Sequence, residues 1–301
     1  MLDFRVNTFL CVCRFLNYTK AAEELHLTQP AVSQHIHYLE KRYGVKLFAR
    51  DGKKVYLTEA GKKLQAAMRK MENDEQKLRR VLDGDAAKQR TLSFGVTMTI
   101  GEYILAEPLC KYLQKHPDLD VKIHYGNTAE LLKALQEGTI DFALVEGYFP
   151  EAGYETKIFG REKFIPVCAA GHHFKRKPEK IQDLFCERLL IRESGSGTRN
   201  ILERNLAVHN YTVGDFCHYV EVENVHTILQ LLLGDCGVSF LYRAAVKKEL
   251  EEGQLEEILL SDFQMEHDFT FLWEKESLFA EDYRVICEEL CCLSQYLPDD
   301  Q

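Results

Sequence analysis

The chain has 301 residues, of which 46% are hydrophobic and 28% charged, a size and balance that suit a soluble globular protein of two or three domains. It contains no run of about eighteen apolar residues, which excludes a spanning helix. Its first residues lack the basic head and small-residue cleavage site of a signal peptide, so a cytoplasmic protein is expected. The net charge of −9 conceals an asymmetry: residues 1–90 carry 18 Lys and Arg against 11 Asp and Glu, and the remainder carries 20 against 36. A basic piece on an acidic body points to a polyanion met at one end.

The chain opens with apolar residues at helical spacing: Val6, Phe9, Leu10, Cys13 and Leu16. Asn17 is a good N-cap for a second helix from Tyr18 to Leu25, in which Ala21 and Ala22 permit close helix packing. Thr28 can cap a third helix with Pro30 in its first turn. On that helix Val32, Ile36, Leu39 and Tyr43 share one face and should pack inward. Gln29, Pro30, Ser33, Gln34 and His37 remain outside. A short helix whose outer face holds amide, hydroxyl and imidazole groups fits the major groove of double-stranded DNA, where Gln reads adenine and Ser serves several base edges. A neutral exposed face is the bland alternative.

Gly44 reads as the residue that ends this helix. The segments 45–48 and 55–57 read as two short strands. Between them Arg50, Asp51, Gly52, Lys53 and Lys54 form a turn carrying three cations, a wing able to touch phosphate or the minor groove. Thr58 caps a further helix that runs to about Asp83. Its residues Leu64, Met68, Met71, Glu75, Leu78 and Leu82 alternate by four and three, a heptad seam with one polar member. Gly84, Asp85, Ala86 and Ala87 read as a hinge.

From Thr91 strands alternate with helices: strand 92–96, helix 100–115, strand 121–125, helix 128–137 and strand 142–145. The order recurs as strand 189–191, helix 199–207, strand 219–222, helix 225–233 and strand 237–240. Two α/β halves with parallel strands leave a cleft, and ligands in such sheets sit beyond the carboxyl ends of the strands. Thr97, Met98 and Thr99 fall there, as do Ser194, Ser196 and Thr198, and Asn224. Converging hydroxyls and backbone N–H groups suit a small anion, with Arg199 adding a charge. For any one of these residues helix capping is the plainer role.

The ten cysteines form no Cys-x-x-Cys pair and complete no zinc set, so they read as reduced thiols, with Cys287, Cys291 and Cys292 clustered on one helix as a lesser redox reading. Ser196 does not sit in a Gly-x-Ser-x-Gly elbow, and no phosphate-binding Gly-x-x-x-x-Gly-Lys loop is present. His172 and His173, and the pair His35 and His37, have no further metal ligands in view. An enzyme is therefore not expected, nor a cofactor or a metal. A solute-binding transport protein fits the two-lobed body but not the basic N-terminal module.

The run Ala21-Ala22-Glu23-Glu24-Leu25, then Thr28-Gln29-Pro30-Ala31-Val32-Ser33, Leu39-Glu40, Gly44, Leu47-Phe48, Arg50 and Leu57-Thr58-Glu59-Ala60-Gly61 closely resembles the LysR-type transcriptional regulators. The stretch 97–147 and the run 192–199 resemble effector domains of the sulfur- and carbon-assimilation branch, with Ser194 where proline is common. The resemblance implies a winged helix-turn-helix over 1–58, a linker and dimerisation helix with hinge over 59–90, and an effector domain over 91–301. That domain should be a two-lobed, periplasmic-binding-protein-like α/β fold, with one lobe near 91–160 and 268–301 and the other near 161–267. It also implies a homodimer or homotetramer paired through Leu64, Met68, Met71, Leu78 and Leu82, and a partnership with RNA polymerase. The implied effector is a small anionic metabolite. Glu146, inside the matched stretch, joins Thr97, Met98, Thr99, Ser194, Ser196, Thr198 and Asn224 as its expected contacts.

Overall fold

The computed structural model describes residues 3–52, 54–82, 90–275, 277–294 and 296. The chain divides into two compact units, Met1–Lys88 with Gln136–Gly138, and Gln89–Leu135 with Thr139–Gln301.

The first unit holds α1 (Phe4–Phe15), α2 (Tyr18–Glu24), α3 (Gln29–Tyr43), the hairpin β1 (Phe48–Asp51) and β2 (Lys54–Leu57), and α4 (Glu59–Leu82). Local chemistry sets its boundaries. The Asn17 side chain accepts from the N–H groups of Thr19 and Lys20, and Thr28 Oγ1 accepts from Ala31 N. Gly44 ends α3 at φ +68°. Thr58 Oγ1 accepts from Gly61 N at 3.0 Å and donates to the Lys46 carbonyl, which joins the start of α4 to the loop before the hairpin. Phe9, Val12, Ala21, Val32, Ile36, Leu39 and Leu47 fill the core, each large side chain contributing about 1.5–3 kcal/mol by burial.

Three expectations shift here. Leu16 does not pack inward; it is an exposed C-cap in the left-handed region at φ 47°. Tyr43, at the end of α3, is also exposed. The wing strands start later than the segment 45–48, because the Glu40 carboxylate accepts from Leu47 N and pairs with Lys46 instead. Asp51 then pairs with Lys54, with Gly52 following Asp51 at φ +56°, so Arg50 lies on a strand opposite Val55 rather than in the turn.

The second unit runs β3 (Arg90–Val96), α5 (Met98–Tyr103), α6 (Ala106–Lys115), β4 (Leu119–Tyr125), α7 (Thr128–Gln136), β5 (Phe142–Val145), β6 (Tyr154–Ala169), β7 (Arg188–Arg192), α8 (Gly197–Val208), β8 (His218–Val222), α9 (Val225–Leu233), β9 (Val238–Tyr242), α10 (Arg243–Glu251), β10 (Leu255–Glu257), β11 (Met265–Glu274) and α11 (Ala280–Cys292). Its sheet has the order β4-β3-β5-β11-β6-β9-β7-β8, with β10 beside β6. Strands β3, β4 and β5 are parallel, and so are β7, β8 and β9. The long antiparallel pair β6 and β11 joins these two halves, and its register shifts at Phe269 and Thr270, which leaves Phe159 as an extra residue on β6. The helix expected over 100–115 is two helices. Pro108 has no N–H to give, so a continuous helix would lose a bond at Ile104; restarting at Ala106 puts the proline in a first turn. The break lets Ile104 and Leu105 both enter the core. Cys287 and Cys291 are buried in that core on α11, where burial holds both thiols protonated, Cys291 near a pKa of about 11.

Among the described residues no helix is long and apolar enough to cross a membrane.

Candidate functional site

On α3 the residues divide as the wheel requires. Val32, Ile36 and Leu39 are buried, while Gln29, Pro30, Gln34 and His37 are exposed and Ser33 is half-buried. Thr28 is exposed at the cap. Gln29 Nε2 donates to Ser33 Oγ at 2.9 Å, one turn away, so these two present a joined amide and hydroxyl. His35 belongs to the packing: its Nδ1 lies 3.0 Å from Thr8 Oγ1 and its ring meets Phe4 edge-on. The Arg5 guanidinium lies 4.0 Å over the Tyr38 ring, a cation beside α3 that the sequence pattern did not single out. Arg50 is exposed on the wing with its guanidinium 5.2 Å over the Tyr18 ring, and Lys53 lies outside the described residues.

Along α4 the heptad residues separate into two groups. Met68 is 8% exposed and Leu64 half-buried, both against the core of their own unit. Met71 and Leu78 are 51% and 42% exposed. Leu82 is helical, but its side chain lies outside the described ones.

In the second unit the two halves of the sheet bring distant residues to one buried cluster. Glu146, after β5, is 1% exposed. Thr198 Oγ1 donates to Glu146 Oε1 at 2.7 Å, Thr99 Oγ1 donates to the same oxygen at 3.2 Å, and the two hydroxyls are 3.4 Å apart. Thr128 Oγ1 donates to the Glu146 carbonyl at 3.0 Å. Burial pushes the Glu146 carboxyl above its ordinary pKa of 4.5, opposed by the Thr198 hydroxyl, the Arg192 charge and the Thr99 hydroxyl. Its Oε2 has no hydrogen-bond partner among the described residues, and neither have the buried hydroxyls of Thr97 and Ser196. Thr97 and Ser196 are N-caps of α5 and α8, yet neither side chain makes a capping bond.

The halves touch at this point. A Cβ on Gly197 would lie 2.5 Å from the Glu146 carbonyl oxygen, and one on Gly147 would lie 2.8 Å from Gly197 Cα. Gly147 also holds φ +81°, a conformation that favours glycine. Under α8 a void of about 10 Å³ is lined by Arg192, Thr198, Arg199 and Ser239, about the room of one water.

The other expected contacts lie apart from this cluster or are already engaged. Met98 is half-buried between Thr97 and Thr99, and Ser194 is exposed. The Asn224 side chain accepts from Thr227 N and so serves as the cap of α9. Arg199 does not lend a free charge: it is bound by Glu203, Glu221 and the Arg192 carbonyl. The buried cation near Glu146 is Arg192, which pairs with Glu193 through Nε and Nη2 and leaves Nη1 without a partner. Tyr242 is fully buried, its hydroxyl is unpartnered, and burial together with the nearby Glu146 raises its pKa. A charged residue closing the apolar strand 189–192 was the signal for Arg192; nothing local marks Tyr242.

The chain matches two family models. Residues 5–62 match the bacterial regulatory helix-turn-helix protein of the lysR family, and residues 85–290 match the LysR substrate binding domain. The HTH-type transcriptional regulator CfxR of Cupriavidus necator is 30% identical over 83% of this chain and 78% of its own length. Two solved structures are similar in fold. ArgP from Mycobacterium tuberculosis has a TM-score of 0.69 at 18% identity, covering 100% of both chains. The Synechocystis PCC6803 CcmR regulatory domain in complex with 2-PG has a TM-score of 0.62 at 19% identity, covering 70% of this chain and 100% of that one. Regulators of this family bind DNA and small-molecule effectors and act as oligomers. With both family models matched in order along its length, the chain belongs to the LysR family and is a DNA-binding transcriptional regulator, not an enzyme.

Proposed function

We propose that this regulator works in the cytoplasm and reads an interrupted dyad in double-stranded DNA. The work divides into DNA reading by residues 1–58, pairing by 59–90 and sensing by 91–301, with the sensing lobes near 91–160 with 268–301 and near 161–267. The base-reading set is Thr28, Gln29, Pro30, Ser33, Gln34 and His37, with Arg50 and Lys53 against phosphate or the minor groove. The exposure of that polar face opposite a fully apolar one supports the assignment. Two or four copies associate through α4, and the exposed Met71 and Leu78 support that role.

The input is a small anionic metabolite held between the two halves of the second unit, near Thr97, Met98, Thr99, Glu146, Ser194, Ser196, Thr198 and Asn224. One observation carries this reading. Thr97 and Ser196 are buried hydroxyls at N-caps that cap nothing, in a place where an unpaired polar group costs about 1–3 kcal/mol. A bound ligand removes that cost. The likeness to a regulatory domain solved with 2-PG supports a small ligand in a domain of this fold. Ligand binding favours one arrangement of the halves and changes both DNA contact and the approach of RNA polymerase, by no more than the difference in ligand affinity between arrangements.

The experiment is protection footprinting of the full-length protein on a selected operator, with and without a metabolite that raises its melting temperature. A changed protection pattern supports the reading, and an identical one contradicts it.

A further inference from the structure

An anion cleft does not account for the carboxyl at its centre. Thr198 spends its one hydroxyl proton on Glu146 Oε1. Thr99 spends its own on the same oxygen or on Thr198. Each threonine therefore turns only lone pairs toward any ligand. With the carboxyl ionised, Glu146 Oε2 is a third acceptor, buried and without a partner. The donors are a separate set: the unpartnered hydroxyls of Thr97 and Ser196, the buried Nη1 of Arg192, and the N–H groups that begin the twelve-residue helix α8 apart from that of Thr198, which already serves Glu146.

A ligand made only of acceptors satisfies the second set and fails the first. Placed against the ionised Glu146 carboxylate it leaves two negative groups facing each other with little water between them. It also leaves Oε2 unpaired. A ligand that brings its own proton resolves both faults. We propose that the effector of this site is amphoteric, an anionic oxygen group with a hydroxyl, ammonium or acid-phosphate proton in the same molecule. Glu146 is the residue that sets this specificity, because it turns away anions that carry no proton donor. This rests on the reading of the cluster as a ligand site. Glutamine has the same shape as glutamate but replaces Oε2 by an amide donor, so it removes the requirement.

The test uses the full chain at pH 8 and constant ionic strength, with calorimetric titration of two matched pairs of probes: hydrogenphosphate against sulfate, and glycolate against acetate. The wild type is expected to bind the proton-bearing member of each pair at least tenfold more tightly, a difference of about 1.4 kcal/mol. In Glu146→Gln that ratio should fall to within about threefold, and in Thr198→Val binding of both members should weaken. Equal affinity for both members in the wild type overturns the specificity while leaving the ligand site standing. An unchanged ratio in Glu146→Gln overturns the role of Glu146 in the same way. Silence with all four probes, or binding that is undiminished for both members in Thr198→Val, removes the ligand-site reading and the proposal with it.

Discussion

Thr198 Oγ1 donates to Glu146 Oε1 at 2.7 Å, so a hydroxyl at the start of α8 and a carboxyl at the end of β5 form one buried hydrogen bond between the two halves of the sheet. Because burial raises the Glu146 pKa above 4.5, the folded state holds a proton on the Glu146 carboxyl more tightly than the unfolded state does. Stability from this group is therefore greatest below pH 4.5 and falls as pH rises toward the raised value. Glutamine does not pay that desolvation cost. Glu146→Gln should melt above the wild type at pH 7.5, by about 2–4 °C for each kcal/mol recovered, and close to it near pH 4.5. Thermal melts at the two pH values check this; a lower melting temperature at pH 7.5 contradicts it.

The same contact requires two small residues. Gly197→Ala places a methyl 2.5 Å from the Glu146 carbonyl oxygen, and Gly147→Ala adds a side chain at φ +81°. Each should destabilise the second unit by about 1–3 kcal/mol in urea unfolding, since backbone on the facing half cannot yield as a flexible side chain can. Wild-type stability in both variants would mean that the halves do not meet this closely.

Replacing Gln34 and replacing Arg50 should give different signatures on DNA. Gln34→Ala should relax base preference at one position of a selected site, costing about 1–3 kcal/mol on that site alone. Arg50→Ala should weaken binding to all sequences alike and make the salt dependence shallower by about one unit. Selection from random DNA followed by salt titration separates the two outcomes. Identical signatures would contradict the division between α3 and the wing.

On α4, Leu78 is 42% exposed, so a charge there leaves the packing of its own unit intact. Leu78→Asp should yield a folded monomer with weakened operator binding. Sedimentation velocity measures the first and anisotropy the second. An oligomer that binds DNA as before contradicts the pairing through this helix. Met68→Asp differs in kind: Met68 lies in the core of its unit, so that change should unfold it.

Elements whose pattern is local were legible in the sequence. Strand β5 and helix α9 begin and end at the residues the apolar runs mark, and the caps Asn17, Thr28 and Thr58 act as their side-chain chemistry requires. The crossing strands β6 and β11 went unread. Their pairing joins residues about a hundred positions apart, and Gly160, Pro166 and the charged run 161–163 break the alternation on β6. The wing was displaced because the Glu40 carboxylate captures Leu47 from a distance that no local pattern reveals. At the site, Thr99, Glu146 and Thr198 were named and meet. Asn224 and Arg199 were named and are engaged elsewhere, because a cap and an ion pair use the same groups as a ligand site. Arg192 was the cation overlooked, since its charge is hidden inside a strand rather than displayed on a loop.

A comparative thermal-shift screen most directly tests whether the Thr99, Glu146 and Thr198 cluster is the sensing site of this regulator. Full-length wild type and Thr198→Ala are melted against one library of small carboxylates, phosphates and sulfonates. The account predicts compounds that raise the wild-type melting temperature and leave Thr198→Ala unmoved, as a ligand that binds only the folded state must stabilise it. Compounds that shift both proteins equally, with none selective for the wild type, would contradict it.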